Sequence, residues 1–267
     1  PFRGFQSSME PIAHFGLGSY EKVDSLKVRW ADGSTQVLYE VEANQRILVA
    51  QADAADEEVT TENGVRAYKP YPSDKLPAYR HKESPHVEFY QTPLVPHQMS
   101  MEGPGIAVGD INGDGREDVY LSGASGSNGS FLIQQVEGTF VEKVLETPKQ
   151  IEETGVLLFD ADGDTDLDLY VVSGGTEHVK GVELYQDRLY KNDGVGNFTH
   201  DSEALPSLSA SGSCVIADDY DQDGDLDLFV GGRVVPGEYP IAPSSYLLKN
   251  EGGTFSDVSA KLPELAD

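Results

Sequence analysis

The chain has 267 residues, of which 38% are apolar and 9% aromatic, so it is long enough and apolar enough to fold around a substantial core. Its 46 acidic residues against 19 Lys and Arg give a formal net charge of −27, which makes nucleic acid and anionic membrane surfaces poor partners and a divalent cation a good one. A single cysteine, Cys214, excludes an intrachain disulfide, and no apolar run approaches the roughly 20 residues that a membrane helix needs.

Residues 1–53 are expected to form a small β domain. Three strand-like runs lie between 23 and 51, and an Ala-Asp-Gly turn at 31–33 joins the first two. Residues 54–85 carry acidic residues and prolines with few apolar clusters, which predicts a linker or an extended strap. The chain starts at Pro1 without an initiator methionine, so we expect it to be a piece of a longer polypeptide.

Residues 86–267 contain an internal repeat. Its three copies are GIAVGDINGDGREDVYLSGA from residue 105, GVLLFDADGDTDLDLYVVSGG from 155 and SCVIADDYDQDGDLDLFVGG from 213. In each copy an apolar run leads into an acidic loop, and a second apolar run and a small glycine-bearing turn follow. The loops begin at Asp110, Asp160 and Asp219, which are 50 and 59 residues apart.

A second shared segment follows each loop, in which a strand ends at a Gly-rich turn and a Phe opens the next strand. Its copies are FLIQQVEGTF (131–140), RLYKNDGVGNF (188–198) and YLLKNEGGTF (246–255). One repeat therefore amounts to about four strands, the size of a β-propeller blade, and its continuous apolar runs are typical of strands buried through both faces. We predict an all-β chain with a small β domain followed by three four-stranded blades. Because a propeller ring has roughly four to eight blades, the remaining ones are expected to come from sequence outside this chain.

The acidic loops have the oxygen spacing of a calcium site. Calcium takes about 6–8 oxygen ligands, and a tight loop supplies them from side chains at positions 1, 3, 5 and 9 and from the backbone carbonyl at position 7. This predicts three Ca²⁺ sites, held by Asp110, Asn112, Asp114, Arg116 and Asp118; by Asp160, Asp162, Asp164, Asp166 and Asp168; and by Asp219, Asp221, Asp223, Asp225 and Asp227.

Two details of the loops carry further expectations. At position 7, Arg116, Asp166 and Asp225 contribute their carbonyls, and we expect the Asp166 side chain to face solvent. At position 6 a sharp turn favours glycine, which the first and third loops have. The second loop has Thr165 there, and Gly163 is expected to offset it.

Other interpretations of the loops are weaker. Helix–loop–helix calcium motifs close with a glutamate at position 12, but position 12 here is Leu121, Val171 or Val230, inside an apolar run. The loop must therefore close at position 9 and lead into a strand. Asp, Asn and Gly clusters also make plain turns, yet three copies with the same oxygens argue against that alternative. Since all ligands lie in one short loop, the ion is expected to be structural.

The pattern D-x-[DN]-x-D-G-x-x-D, followed by an apolar strand and a Y-K-N-x-G-x-G-x-F segment, resembles the FG-GAP/VCBS repeats of integrin-α-type β-propellers over about residues 101–267. Residues 1–53, through SSMEPIAHFGLGSYEKVDSLKVRWADG and EANQRILV, resemble the C-terminal part of an ASPIC/UnbV domain. The resemblance implies calcium-binding blades in an extracellular, cell-surface or periplasmic protein, with a binding role rather than a defined enzymatic reaction.

We therefore expect a calcium-binding propeller segment of a secreted or cell-surface protein that binds a glycan or an extracellular protein. The loops 173–187 and 231–246, taken as loops that join blades, are the expected binding surface. We assign no catalytic residue and expect neither nucleic acid binding nor membrane insertion. Two alternatives remain open: a polysaccharide lyase or hydrolase built on a propeller scaffold, with a carboxylate pair outside the metal loops, and an architectural spacer in a large envelope protein.

Overall fold

The computed structural model describes residues 15–18, 20–30, 34–54, 72–101 and 103–261. The chain divides into two compact units, residues 1–70 and 71–267. Among the described residues, no helix is both long and apolar enough to span a membrane.

The first unit contains a two-stranded antiparallel sheet of β1 (Lys22–Arg29) and β2 (Thr35–Glu42). The turn predicted at 31–33 lies outside the described residues. The third predicted strand is wrong, because residues 45–50 have no regular structure and lead into a short 3-10 helix at Gln51–Asp53. Leu48 in this run is 94% exposed, so the run lacks the half-buried surface that favours a strand.

In its described residues, the second unit contains three four-stranded antiparallel sheets, which confirms the predicted blades. In each blade the strands pair in chain order, so every connection inside a blade is between neighbouring strands. Blade one consists of β3 (Ile106–Gly109), β4 (Asp118–Leu121), β5 (Ser130–Gln134) and β6 (Phe140–Val144); blade two of β7 (Glu152–Phe159), β8 (Asp168–Gly174), β9 (Arg188–Asn192) and β10 (Phe198–Asp201); blade three of β11 (Ser211–Asp218), β12 (Asp227–Val234), β13 (Tyr246–Glu251) and β14 (Thr254–Asp257).

The connections between strands contradict the predicted position of two binding loops. The expectation that 173–187 and 231–246 join blades is wrong, because they connect the second and third strands inside blades two and three. The blades are joined instead by residues 145–151 and 202–210. The two within-blade loops contact each other through an ion pair between Lys180 and Glu238.

Strand β8 shows why its sequence is apolar without alternation. All seven of its residues are buried. Leu169 and Val171 point to a core shared with blade one, while Tyr170 and Val172 point to a core shared with blade three. The strand is therefore covered on both faces, as expected for a blade between two others.

The first strands of the blades also lie against one another. Strand β7 contacts both β3 and β11. At Gly155 in β7, an added Cβ would lie 2.8 Å from the Ser213 carbonyl oxygen and 3.0 Å from the Cys214 Cα. A glycine is needed here because any side chain would push β11 away.

The segment before the first blade extends along the blades as far as the third. Lys75 Nζ donates to the Glu137 carbonyl in blade one at 2.7 Å. Val95 and Met99 pack against Val234, the last residue of β12. Since β12 begins at an aspartate loop, this contact lies at the opposite end of the blade from the predicted metal sites.

Glu152, at the start of β7, gives the first prediction. Its side chain is buried, and its Oε2 accepts a hydrogen bond from the Ser125 amide at 2.6 Å. Burial, together with the nearby charges of Glu177 and Glu83, raises the pKa of Glu152 from 4.5 to about 8. The folded state therefore keeps a proton that the unfolded state releases, and the free energy of unfolding falls as pH rises from about 4.5 towards 8.

We expect Glu152→Gln, which keeps an acceptor for the Ser125 amide, to raise the free energy of unfolding at pH 8 and to leave it unchanged at pH 4. Urea unfolding at the two pH values measures this difference. Glu203→Gln, on an exposed residue, is the control and should show no such pH dependence. Equal unfolding midpoints for Glu152→Gln and wild type at pH 8 would show that Glu152 is ionised at no cost.

Candidate metal centres

The three aspartate loops occupy the same place in the three blades, between the first and the second strand. The aspartate at position 9 is the first residue of the second strand in each blade and is almost completely buried, with an exposure of 0% for Asp118, 1% for Asp168 and 2% for Asp227. Position 12 lies inside that strand. The prediction that the loop closes at position 9 and leads into a strand is confirmed.

The first aspartate of each loop organises the turn. Its carboxylate accepts hydrogen bonds from backbone amides later in the loop, which wraps the chain around it. The donors are Gly115 (2.7 Å) and Asp114 (3.1 Å) for Asp110, Gly163 (2.8 Å) and Thr165 (3.0 Å) for Asp160, and Asp223 (3.1 Å) and Gly224 (3.1 Å) for Asp219. Although burial opposes it, these amide hydrogen bonds lower the pKa of Asp110, led by the one from Gly115.

Two of the loops gather carboxylates tightly enough for an ion. Ligand oxygens of Asp160, Asp162 and Asp164 lie within 4.8 Å of one another, and so do those of Asp219, Asp221 and Asp227. In the third loop, the buried Oδ2 of Asp227 has no hydrogen-bond partner. A buried carboxylate oxygen without a donor is costly, and a hard cation would satisfy it. The donor set, all oxygen, is the one that calcium prefers.

The first loop differs. Asn112 replaces one carboxylate, and the Arg116 guanidinium pairs with Asp114. Arg116 Nε also donates to the Gln134 carbonyl at 3.2 Å, which holds the guanidinium against β5. Among the described residues, the first loop therefore does not bring three carboxylates together.

Lysines in β9 and β13, the third strands of blades two and three, contact the aspartate loops of those blades. The sequence did not predict these contacts. Lys191 Nζ lies 3.2 Å from Asp162 Oδ2, and Lys249 Nζ lies 2.6 Å from Asp221 Oδ2 and 3.0 Å from Asp223 Oδ2. Hydrogen bonds to these aspartates raise the pKa of Lys249. The Lys-Asn pair that recurs in blades two and three was the available signal.

Comparison with known families agrees with this geometry. Residues 110–171 and 160–230 each match the FG-GAP-like repeat, and residues 1–56 match ASPIC and UnbV. The chain therefore contains two FG-GAP-like repeats and a segment that matches ASPIC and UnbV. Each repeat match begins at or before one aspartate loop and ends in the strand that follows the next aspartate loop. All three loops therefore lie within matched sequence. A search of curated proteins finds no match.

Within the FG-GAP-like loops, the buried aspartate of blade two is held in a strongly negative environment. Burial, with the charges of Asp162 and Asp164, raises the pKa of Asp168 to about 6, although the Asn192 and Ala161 amides donate to its carboxylate. A bound cation would remove this repulsion.

The expectation that the Asp166 side chain faces solvent is wrong. Its Oδ1 is buried, and its Oδ2 would lie 3.2 Å from a Cβ placed on Gly194 in the turn between β9 and β10. Burial, followed by the charge of Asp164, raises the pKa of Asp166 to about 6.

Positive φ angles occur at two places in every FG-GAP-like loop. Position 4 has φ of 72° at Gly113, 80° at Gly163 and 61° at Gln222, and position 6 has φ of 81° at Gly115, 79° at Thr165 and 101° at Gly224. Gly163 therefore meets the requirement of position 4 and does not offset Thr165, as the sequence led us to expect. A β-branched residue at φ of 79° is strained.

We expect Thr165→Gly to relieve this strain, raising the free energy of unfolding of the metal-free protein by about 1 kcal/mol. Calorimetric or urea unfolding in the presence of a chelator measures it. Glycine at positions 115 and 224 of the sister loops has no atom near its missing Cβ, so backbone conformation, rather than packing, decides the effect. Thr165→Ala is the control, because alanine also disfavours this φ. If Thr165→Ala raises the free energy of unfolding as much as Thr165→Gly does, the strain does not come from the positive φ of this residue.

Proposed function

We propose that the FG-GAP-like blades bind three calcium ions, one in each aspartate loop, and that the chain is a binding module of a secreted or cell-surface protein. The observation that carries the metal proposal is the clustering of carboxylate oxygens within 4.8 Å of one another in the second and third loops, with the almost completely buried Asp227 among them. The residues that would hold the ions are those at positions 1, 3, 5, 7 and 9 of each loop.

Calcium would supply positive charge at the point where the first and second strands of a blade meet. Each loop carries three or four acidic side chains at positions 1, 3, 5 and 9, and their mutual repulsion opposes the folded loop. Since the position 9 aspartate begins the second strand, an ion bound to it would fix the corner between the two strands. We therefore assign the ions a structural role.

A cavity of about 630 Å³ on blade two supports the binding role. The predicted binding loop 173–187 contributes Glu183, Leu184, Gln186 and Asp187 to its lining. Linker residues on both sides complete it, together with Arg188 of β9 and with His200 and Asp201 of β10. Residues with hydroxyl, amide, imidazole, guanidinium and carboxylate groups line this cavity together with apolar residues such as Leu184 and Leu205. Such a lining suits a glycan, whose hydroxyls both donate and accept hydrogen bonds.

The family supports the location. FG-GAP repeat proteins are typically extracellular or cell-surface proteins. Calcium-binding extracellular modules have affinities of about 10⁻⁴–10⁻³ M, which match calcium concentrations outside cells. We propose that the remaining blades of the ring come from sequence outside this chain.

Calcium is expected to raise the melting temperature, because it binds the folded state alone. At ten times the Kd, each site adds about 1.4 kcal/mol to the free energy of unfolding. Isothermal titration calorimetry should find three ions per chain, and two for Asp164→Ala. Glu203→Ala removes the same charge from an exposed residue outside the loops and should retain three. A melting temperature that neither calcium nor chelator changes, with no heat of binding, would contradict the proposal.

A glycan array with the full chain in calcium tests the binding role. Ser202→Trp, which would fill the cavity, is expected to abolish glycan binding, while Thr199→Trp, exposed on β10 and outside the cavity lining, should leave it intact. Binding that survives Ser202→Trp would place the glycan elsewhere. Release of reducing ends from a bound polysaccharide would instead favour the lyase or hydrolase alternative, and an inert chain would favour the spacer.

A further inference from the structure

One asparagine in blade two connects two neighbouring aspartate loops. Asn192 is the last residue of β9, and its backbone amide donates to Asp168 Oδ1, a predicted ligand of the second site, at 2.8 Å. Its side-chain Nδ2 donates to the carbonyl of Ile111 at 2.8 Å. Ile111 lies in the first loop, between Asp110 and Asn112, so one residue contacts the loop of its own blade and that of the preceding blade.

Blade three repeats this arrangement. The backbone amide of Asn250 donates to Asp227 Oδ1 at 2.8 Å, and its Nδ2 donates to the Ala161 carbonyl at 2.8 Å. Ala161 lies in the second loop, between Asp160 and Asp162, and is only 1% exposed. The same two bonds with the same lengths in two blades mark a repeated device rather than a chance contact.

The turns that follow these asparagines pack directly on the preceding loop. A Cβ added to Gly253 would lie 2.6 Å from Asp162 Cβ, so only glycine allows this approach. Asn250 Oδ1 accepts from the Gly253 amide at 2.8 Å, which fixes the turn. A cavity of about 170 Å³ next to Asn250 is lined by both loops, including Asp160 and Asp225.

We infer that Asn192 and Asn250 couple neighbouring metal sites, so that an ion bound in one loop raises the affinity of the loop in the preceding blade. An ion at the third site would fix Asp227, whose Oδ1 positions the Asn250 amide. The Asn250 Nδ2 in turn positions the Ala161 carbonyl and with it the two ligands that flank Ala161. Coupling between binding sites is reciprocal, so occupation of the second site also strengthens the third. The inference rests on the proposed calcium binding.

Blade one supplies a matched control. Gln134 occupies the corresponding position, and its backbone amide donates to Asp118 Oδ1 at 2.7 Å, like the two asparagines. The described part of the chain holds no earlier aspartate loop for its side chain to reach. Gln134→Ala should therefore leave the calcium affinities of all three sites unchanged.

The test follows each site separately through the backbone amide resonances of Gly115, Gly163 and Gly224 during a calcium titration. Asp221→Ala disables the third site while leaving the amide hydrogen bonds of its loop intact. We expect it to raise the midpoint of the Gly163 response by about fivefold or more, the lower range of typical coupling between sites. In the Asn250→Ala background, Asp221→Ala should no longer change that midpoint.

The outcomes separate the coupling from calcium binding itself. If Gly163 titrates at the same midpoint with and without Asp221→Ala, the coupling is wrong while the second site stands. If the shift persists in Asn250→Ala, Asn250 is structural only and the inference is wrong. If no glycine resonance responds to calcium, the proposed function fails first. Asn250→Asp, which keeps the acceptor for Gly253 and removes the Nδ2 donor, replaces Asn250→Ala if that variant does not fold, with the same expected loss of coupling.

Discussion

The structure of the blades depends on one buried carboxylate in each, the aspartate at position 9. It is the last residue of the aspartate loop and the first residue of the second strand, and it accepts a hydrogen bond from the amide at the end of the third strand. The loop, the second strand and the third strand therefore meet at a single negatively charged group. Because a buried charge must be compensated, the corner is stable only if amides, a cation or both surround it.

In each aspartate loop, a basic side chain pairs with at least one of the acidic side chains. In the first loop Arg116 neutralises one aspartate, and in the others Lys191 and Lys249 reach across from the third strand. These basic groups leave the buried oxygen of Asp227 without a partner. An exposed ion pair contributes little stability, so these lysines offset the repulsion between the loop carboxylates only in part.

The packing of one blade against the next brings the third strand of a blade close to the aspartate loop of the preceding blade. Because a blade presents its third strand to the loop of the preceding blade, a residue such as Asn250 can bond to both loops at once. The same arrangement leaves β8 covered on both faces, with alternate residues in two different cores. A repeat that stacks in this way transmits a local change to its neighbour, since stability is shared at the interfaces.

The sequence by itself determined the number of blades, the position of each loop and the closure at position 9, because these follow from local spacing of aspartates and apolar runs. Two sequence predictions were wrong. The run around Leu48 is too exposed to form the predicted strand, and Gly163 has a positive φ of its own, so it does not offset Thr165. Only the tertiary structure decided which distant groups meet the loops. Asn192 bonds to Ile111 across 81 residues, and Asn250 bonds to Ala161 across 89. Such contacts depend on the packing of one blade against the next, which the spacing of residues within a single repeat does not contain.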